Sequence, residues 1–324
     1  GVPADRLVLH GNNKSTEELR RALAEGVGRV IVDSFDELDR IEALVAEGLP
    51  VPKVLLRITP GVEAHTHEFV RTGQDDSKFG FGLSTGEAER AVARASSSAA
   101  VELVGLHAHI GSQVFEERFF QMAIEALAPF VRAHALAELS IGGGLGVAYV
   151  AGETSASITE WGRLVHEACR DAGIDAHVTA EPGRALVAQA AVTLYEVGTI
   201  KDIPGIRTYV SVDGGMSDNP RPVLYGSGYE AFLPRETAAD RSRIVTIVGK
   251  HCESGDVLVR DAAVPADLVV GDVLATPVTG AYGYSMASNY NKVTRPAVVF
   301  VADGRARLVV RRESLDDLLR LDLG

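Results

Sequence analysis

Val27-Gly28-Arg29-Val30-Ile31-Val32-Asp33-Ser34-Phe35-Asp36-Glu37 sets a β-branched run directly against a helix start. A short apolar run bounded by turn residues suits a strand covered on both faces, as in a parallel sheet. Ser34 and Glu37 have the spacing of a capping box, in which the serine oxygen takes an orphan amide and the glutamate returns to the cap. The same order recurs on both sides of this stretch. Strand-like runs at residues 6–10, 53–59, 102–110, 138–141 and 175–180 alternate with amphipathic segments, and further boxes stand at Ser15/Glu18 and Ser84/Glu87. Stretches 16–25 and 159–171 space their apolar residues by three and four, as a helix lying on a sheet does. Cys169, near the end of the second, reads as a small core residue.

Six strand-helix units are too few for a closed (β/α)8 barrel, which takes eight in about 250 residues. An open doubly wound sheet would carry a nucleotide fingerprint after its first strand, and Gly11-Asn12-Asn13-Lys14-Ser15 is not one. A barrel short of its first two units is the better expectation. After about Val187 the pattern changes. Runs at 191–201, 207–213, 243–249, 256–264, 272–278, 295–302 and 305–313 read as strands without helices between them, and Asp303-Gly304 is a hairpin signal. We therefore expect a partial barrel over residues 1–187 and a mostly antiparallel β domain over 188–324.

Composition excludes several classes. With 32 Lys+Arg against 44 Asp+Glu the net charge is −12, the wrong sign for a nucleic-acid binder. At 46% apolar and 23% charged residues the chain is neither disordered nor, lacking any long apolar run, membrane-spanning. Two cysteines make no disulfide framework, and Gly1–Asp5 has neither the basic nor the apolar region of a signal peptide, so the cytoplasm is the expected location.

Chemistry-bearing clusters fall just after strands, where barrel sites are built. His107-Ala108-His109-Ile110-Gly111-Ser112 can set an imidazole against a flat ligand with a hydroxyl nearby, although a histidine at a strand end is also a common structural feature. Gly142-Gly143-Gly144 can bring backbone amides to a phosphate, or can simply turn. Glu181-Pro182-Gly183-Arg184 offers a carboxylate, a rigid turn and a guanidinium suited to phosphate or carboxylate. Together they supply a stacking ring, a phosphate cradle and a buried acid, the parts that hold a pyridine cofactor. In the second half, Asp213–Tyr225 is too rich in turn residues and charge to be plain strand, and residues 279–291 pack three tyrosines into a polar loop. His251-Cys252-Glu253 sets a thiol beside a carboxylate. No second cysteine or histidine stands at ligand spacing from Cys252, so a proton-donating thiol is the sharper reading than a metal ligand.

Taken together, Glu181-Pro-Gly-Arg, the triple glycine, His109-Ile-Gly-Ser, Cys252-Glu-Ser-Gly-Asp and Gly280-Ala-Tyr282-Gly resemble the diaminopimelate decarboxylases. His10-Gly-Asn-Asn-Lys-Ser, Ser77-Lys-Phe-Gly and Asp218-Asn-Pro-Arg-Pro add to the likeness, which runs from Arg6 to about Arg312. These are fold-type III lyases of lysine biosynthesis that use pyridoxal 5'-phosphate on an alanine-racemase-like (β/α)8 barrel. The resemblance implies roles. His109 stacks on the pyridine ring, and Ser112, Gly142, Gly143 and Gly144 line the phosphate site with Gly183, Arg184 and Tyr282. Glu181 pairs with the ring nitrogen. Arg184, Arg221, Tyr225 and Tyr282 bind substrate, Glu253 takes its distal ammonium, and Cys252 protonates the carbanion. It further implies a homodimer in which the neighbouring subunit supplies Cys252 and Glu253, with no metal.

One departure stands out. Family members carry the Schiff-base lysine on the first barrel strand in a Tyr-x-x-Lys-x-Asn-like segment, and none of Lys14, Lys53, Lys78, Lys201, Lys250 or Lys292 has that context. We expect the chain to begin at the third barrel strand. Two absent strands would remove roughly ten core side chains at ~1.5–3 kcal/mol each, more than a typical net stability of ~5–15 kcal/mol. On that expectation the chain alone folds poorly, aggregates and lacks activity. Either it is a piece of an ordinary decarboxylase, or it is a non-catalytic cofactor-binding partner subunit.

Overall fold

The computed structural model describes residues 1–62 and 76–324, which divide into two compact units. The first comprises Gly1–Val147 and Thr154–Ala185, and the second Ala148–Glu153 and Leu186–Gly324.

In the first unit β1 (Val8–Leu9), β2 (Arg29–Val32), β3 (Lys53–Thr59), β4 (Phe81–Gly82), β5 (Glu102–His107), β6 (Glu138–Ser140) and β7 (His177–Thr179) form one parallel sheet. The order is β1-β2-β3-β5-β6-β7, with β4 paired to the end of β3. Helices α1 (Thr16–Glu25), α2 (Phe35–Ala46), α3 (Glu87–Ser97), α4 (Arg118–Ala133) and α5 (Ile158–Asp171) connect the strands. All six expected strands are present; β4, only two residues long, carries no signal of its own in the sequence.

Two of the three expected boxes cap as read, one of them in part. Ser15 accepts from the Glu18 amide and Glu18 returns to Ser15, completing the box on α1. Ser34 likewise accepts from the Glu37 amide, but the Glu37 carboxylate goes to the Asp33 amide and to Lys14 instead. The third box is a misreading. Gly86 caps α3 in the left-handed conformation (φ 72°), which makes Glu87 the first helical residue and leaves it too early to act as the returning acid. A box that the reading passed over, Ser157/Glu160, starts α5.

Strand alternation sorts the side chains into two faces. Val30, Val32, Val54, Leu56, Ile58, Leu106 and Leu139 pack with the helices in the main core, while Ile31, Leu55 and Val104 form a small cluster on the opposite face. A bulge in β5 decides what that second face carries. Val54 pairs with Leu103 but Leu55 with Gly105, so Val104 is extra and every later residue of β5 changes face. His107 therefore aligns with Arg57 of β3 and Ser140 of β6.

The sheet is strongly curled. β1 and β7 lie at opposite ends of the strand order, yet His10 just past β1 meets Glu181 just past β7 at 3.3 Å. Arg29 of β2 likewise pairs with Glu138 of β6 across two intervening strands. The result is a parallel half-barrel, an alanine-racemase-like arrangement, with the C-terminal ends of its strands gathered around one point.

The second unit is built on a five-stranded sheet of order β11-β10-β9-β8-β12. Its strands are β8 (Val192–Ile203), β9 (Arg207–Val212), β10 (Arg243–Val248), β11 (Val257–Val264) and β12 (Val273–Pro277). All pairs are antiparallel except β9–β10. A separate hairpin, β13 (Val298–Ala302) and β14 (Arg305–Val310), turns on Asp303 (φ 51°) and Gly304 (φ 69°), the two left-handed residues of a tight hairpin turn. Contrary to the expectation of strands alone, short helices Arg221–Tyr225 and Gly283–Met286 interrupt the strand series. Pro220 opens the first and left-handed Gly226 (φ 61°) ends it.

Lys14 is fully committed to the fold. Its buried ammonium donates to Gly11 O (2.5 Å) and Ile31 O (2.7 Å) and pairs with the buried Glu37 carboxylate at 2.8 Å. Three donors thus meet three acceptors. Removing one partner of such a pair strands the other charge. Lys14→Met is expected to cost about 3–5 kcal/mol, and pairing it with Glu37→Leu to recover part of that loss. Urea unfolding followed by the single, buried Trp161 measures both; a loss below about 1 kcal/mol for Lys14→Met would show that the pair is dispensable.

Candidate active site

The C-terminal ends of β1, β5, β6 and β7 converge on Glu181. Its Oε1 lies 3.3 Å from His10 Nε2 and accepts from Ser140 Oγ at 3.2 Å, and its Oε2 lies 3.4 Å from His107 Nε2. These neighbours follow from register: His107, Ser140 and Thr179 stand side by side on β5, β6 and β7, and Glu181 continues the same face two residues on. Burial alone would raise the Glu181 pKa, but the hydrogen bonds from His10 and His107 outweigh it. The carboxyl is held well below the usual carboxylate range, so it is ionised.

The histidines behave oppositely. Burial depresses the His107 pKa against the pull of Glu181. His109 falls to about 4, first through burial and then through Arg57 and His107. Both rings are neutral at pH 7. His109 Nδ1 accepts from the Gly143 amide at 3.2 Å, so its proton sits on Nε2. Arg57, buried on β3, lies 4.0 Å from Asp33 and stacks over Phe79 at 4.3 Å, and burial lowers its pKa.

The triple glycine meets a packing demand. A Cβ on Gly142, Gly143 or Gly144 would overlap the carbonyl oxygen of Ala108, Glu181 or Gly111 respectively. The glycines let three strand-end loops pass at backbone distance, and Gly142 (φ 67°) and Gly144 (φ 104°) also take left-handed conformations. Loop joins loop: Glu181 N donates to Gly142 O at 2.8 Å and Val114 N to Gly144 O at 2.9 Å. Gln113 pins the same loops by exchanging two 3.0 Å bonds with the Val147 backbone. Arg184, buried on the short helix Gly183–Val187, donates to Ser112 Oγ at 2.8 Å. Of the residues singled out from sequence, His109, Ser112, Gly142, Gly143, Gly144, Glu181, Gly183 and Arg184 thus belong to one set of strand-end loops.

Arg221, Tyr225, Cys252, Glu253 and Tyr282 belong to the second unit. Arg221 is buried, donates to Tyr229 Oη (3.0 Å) and Ser227 Oγ (3.1 Å), and lies over the rings of Tyr149 and Tyr225. Among the described residues no carboxylate comes within 4.0 Å of it. Cys252, Glu253 and Tyr282 are exposed, and both Cys252 and the buried Cys169 are free thiols. The turn carrying Cys252 is tied down by Asp256, which accepts from the His251 amide (2.9 Å) and from the Met216 amide (2.7 Å) of the loop leading to Arg221.

Residues 1–188 match the pyridoxal binding domain of the pyridoxal-dependent decarboxylases. The diaminopimelate decarboxylase of Bacillus subtilis (strain 168) is 47% identical over 334 residues, spanning 100% of this chain and 76% of that protein. The chain belongs to the diaminopimelate decarboxylase family. The Corynebacterium efficiens enzyme of the same name is 45% identical over 99% of the chain and 73% of its own length. Among solved structures, diaminopimelate decarboxylase from Helicobacter pylori complexed with L-lysine superposes with a TM-score of 0.91 at 32% identity, covering 99% of this chain and 79% of that one. The M. jannaschii enzyme in co-complex with L-lysine gives the same score and identity over 100% and 75%.

Members of this family are carboxy-lyases that use pyridoxal phosphate, and the site chemistry fits that cofactor. An ionised carboxylate suits a protonated pyridine nitrogen, a neutral imidazole suits a flat aromatic face, and the Ser112–Arg184 pair brings a hydroxyl and a guanidinium to the adjoining loops. Ser140 and Arg57 were not singled out from sequence, and His10 and His107 stood within quoted motifs without a role of their own. Their signal was register: a polar residue at the end of each successive strand.

Neutral buried histidines make the fold sensitive to acid. Their folded pKa values lie below the unfolded value of 6.5, so the unfolded chain takes up protons first. The stability they confer is complete above pH 6.5 and falls as the pH drops toward about 4. His109→Gln is expected to flatten this limb of a urea-midpoint against pH curve; an unchanged limb would contradict the assignment.

Proposed function

We propose that the protein decarboxylates meso-2,6-diaminopimelate to L-lysine and CO2, with residues 1–187 holding the cofactor and residues 188–324 supplying groups for the substrate. The observation that carries the reading is the Glu181 carboxylate held at the strand ends by His10, His107 and Ser140, with the His109 ring bonded to the Gly143 amide of the adjoining loop. Pyridoxal phosphate, when bound, supplies a ring that withdraws the electron pair left on the α-carbon as the bond to CO2 breaks. Glu181 keeps the proton on the ring nitrogen, and His109 packs on the ring face. Ser112, Gly142, Gly143, Gly144, Gly183, Arg184 and Tyr282 line the phosphate. Cys252 delivers a proton from its thiol to the α-carbon.

Substrate choice follows from charge. A simple diamine precursor such as ornithine has only an amine at its far end, whereas diaminopimelate has both a carboxylate and an amine. Arg221, buried and without a carboxylate partner among the described residues, supports an anionic group there, since a buried cation is costly until paired. Arg184, Tyr225 and Tyr282 assist at the substrate, and Glu253 takes the distal ammonium. Cys252 and Glu253 serve the site of a second copy, which makes the working form a homodimer. Among the described residues no helix is long and apolar enough to cross a membrane, and we place the enzyme in the cytoplasm.

The protein isolated from its source is expected to release CO2 from meso-diaminopimelate and not from ornithine. Arg221→Leu is expected to lower kcat/KM for diaminopimelate by about 10²–10³-fold, the cost of removing one member of a buried charge pair. Protein of unchanged Tm must be compared. Equal turnover by the variant would remove Arg221 from the substrate site.

A further inference from the structure

Glu181 has roughly four lone-pair directions on its two oxygens. His10 and Ser140 occupy Oε1, and His107 occupies one direction on Oε2. Among the described residues no second donor is found on Oε2, which would leave that oxygen able to accept from a ring N–H. The donors come from β5, from β6 and from the residue just past β1, so the carboxylate plane is fixed from several sides at once.

The tautomer of His107 is fixed by burial. Its Nδ1 is buried without a hydrogen-bond partner among the described residues, and Nε2 faces Glu181. A neutral imidazole carries a single N–H, and burying that donor unsatisfied would cost more than leaving an acceptor bare. The proton therefore sits on Nε2 and points at the carboxylate. The His10 ring meets the His107 ring edge-on, with centroids 5.0 Å apart at 68°, so each orients the other. Arg57, from β3, is the guanidinium whose field reaches Glu181, and it sits against Asp33. Glu181 is thus held mainly by imidazole and hydroxyl donors. A direct guanidinium bridge would neutralise the charge that a pyridinium needs.

We propose that His10 and His107 are positioning residues that keep the proton on the cofactor's ring nitrogen by holding both oxygens of Glu181. The proposal rests on the reading above that Glu181 pairs with that nitrogen. Without these donors the carboxylate becomes more basic, and the shared proton passes from nitrogen to oxygen.

The test loads the protein with ¹⁵N-labelled pyridoxal phosphate and reads protonation from the ring-nitrogen chemical shift at neutral pH. His10→Leu and His107→Leu are each expected to shift the ratio of N–H to O–H forms by about tenfold, the effect of losing one charge-assisted hydrogen bond. His10→Gln, which keeps a donor, should recover most of the shift. Glu181→Gln separates the two ideas. If it leaves the nitrogen signal unchanged, the pairing of Glu181 with the ring falls, and this proposal with it. If it moves the signal while both leucine variants match the unaltered protein, this proposal alone is overturned. Should His107→Leu fail to fold, His10→Leu decides, because that side chain is 35% exposed.

Discussion

A carboxylate that accepts hydrogen bonds from opposite ends of an open sheet can do so only if the sheet bends back on itself. Glu181 imposes that condition. His10 and Glu181 follow strands separated by the full width of the sheet, and they meet at 3.3 Å. At the other end of the strands Arg29 and Glu138 impose the same bend from β2 to β6. On this face of the sheet the described residues form a thin apolar layer, Ile31, Leu55 and Val104. The curvature, the placement of the site and the separation of the two hydrophobic clusters are therefore one arrangement.

Much of this was legible because it is local. The strand runs at 29–32 and 53–59 announce themselves by β-branched residues, and Ser15 with Glu18 announces α1 by spacing alone. The misreading at Ser84/Glu87 shows the limit of such signals, since Gly86 took a conformation that the serine pattern does not reveal. The bulge at Val104 was invisible for a related reason. A bulge is a mismatch between two strands, and neither strand contains it by itself.

The site divides along the same line. His109, Glu181 and the glycine run stand out as motifs, but their physical reasons differ from one another. Glu181 is prominent for its charge, whereas Gly142, Gly143 and Gly144 are required because three loops cross there at backbone distance. His107 and Ser140 end ordinary strands, and His10 follows another, until the register brings them together. The buried state of Arg221 among Tyr149, Tyr225, Tyr229 and Ser227 depends on a segment some seventy residues earlier in the chain, which no local pattern encodes.

The extra residue in β5 has a consequence for how this sequence can change. Pairing before Val104 and pairing after it run in opposite phase, so the strand works as two half-strands with different reading frames. Deleting Val104 would close the bulge and leave Leu106 opposite Leu56 and His107 opposite Arg57. The paired residues of this strand are constrained in size and polarity, whereas Val104 is the one residue whose loss the pairing itself would absorb. The bulge is thus a place where the strand can lose a residue without moving His107 off the face that meets Glu181.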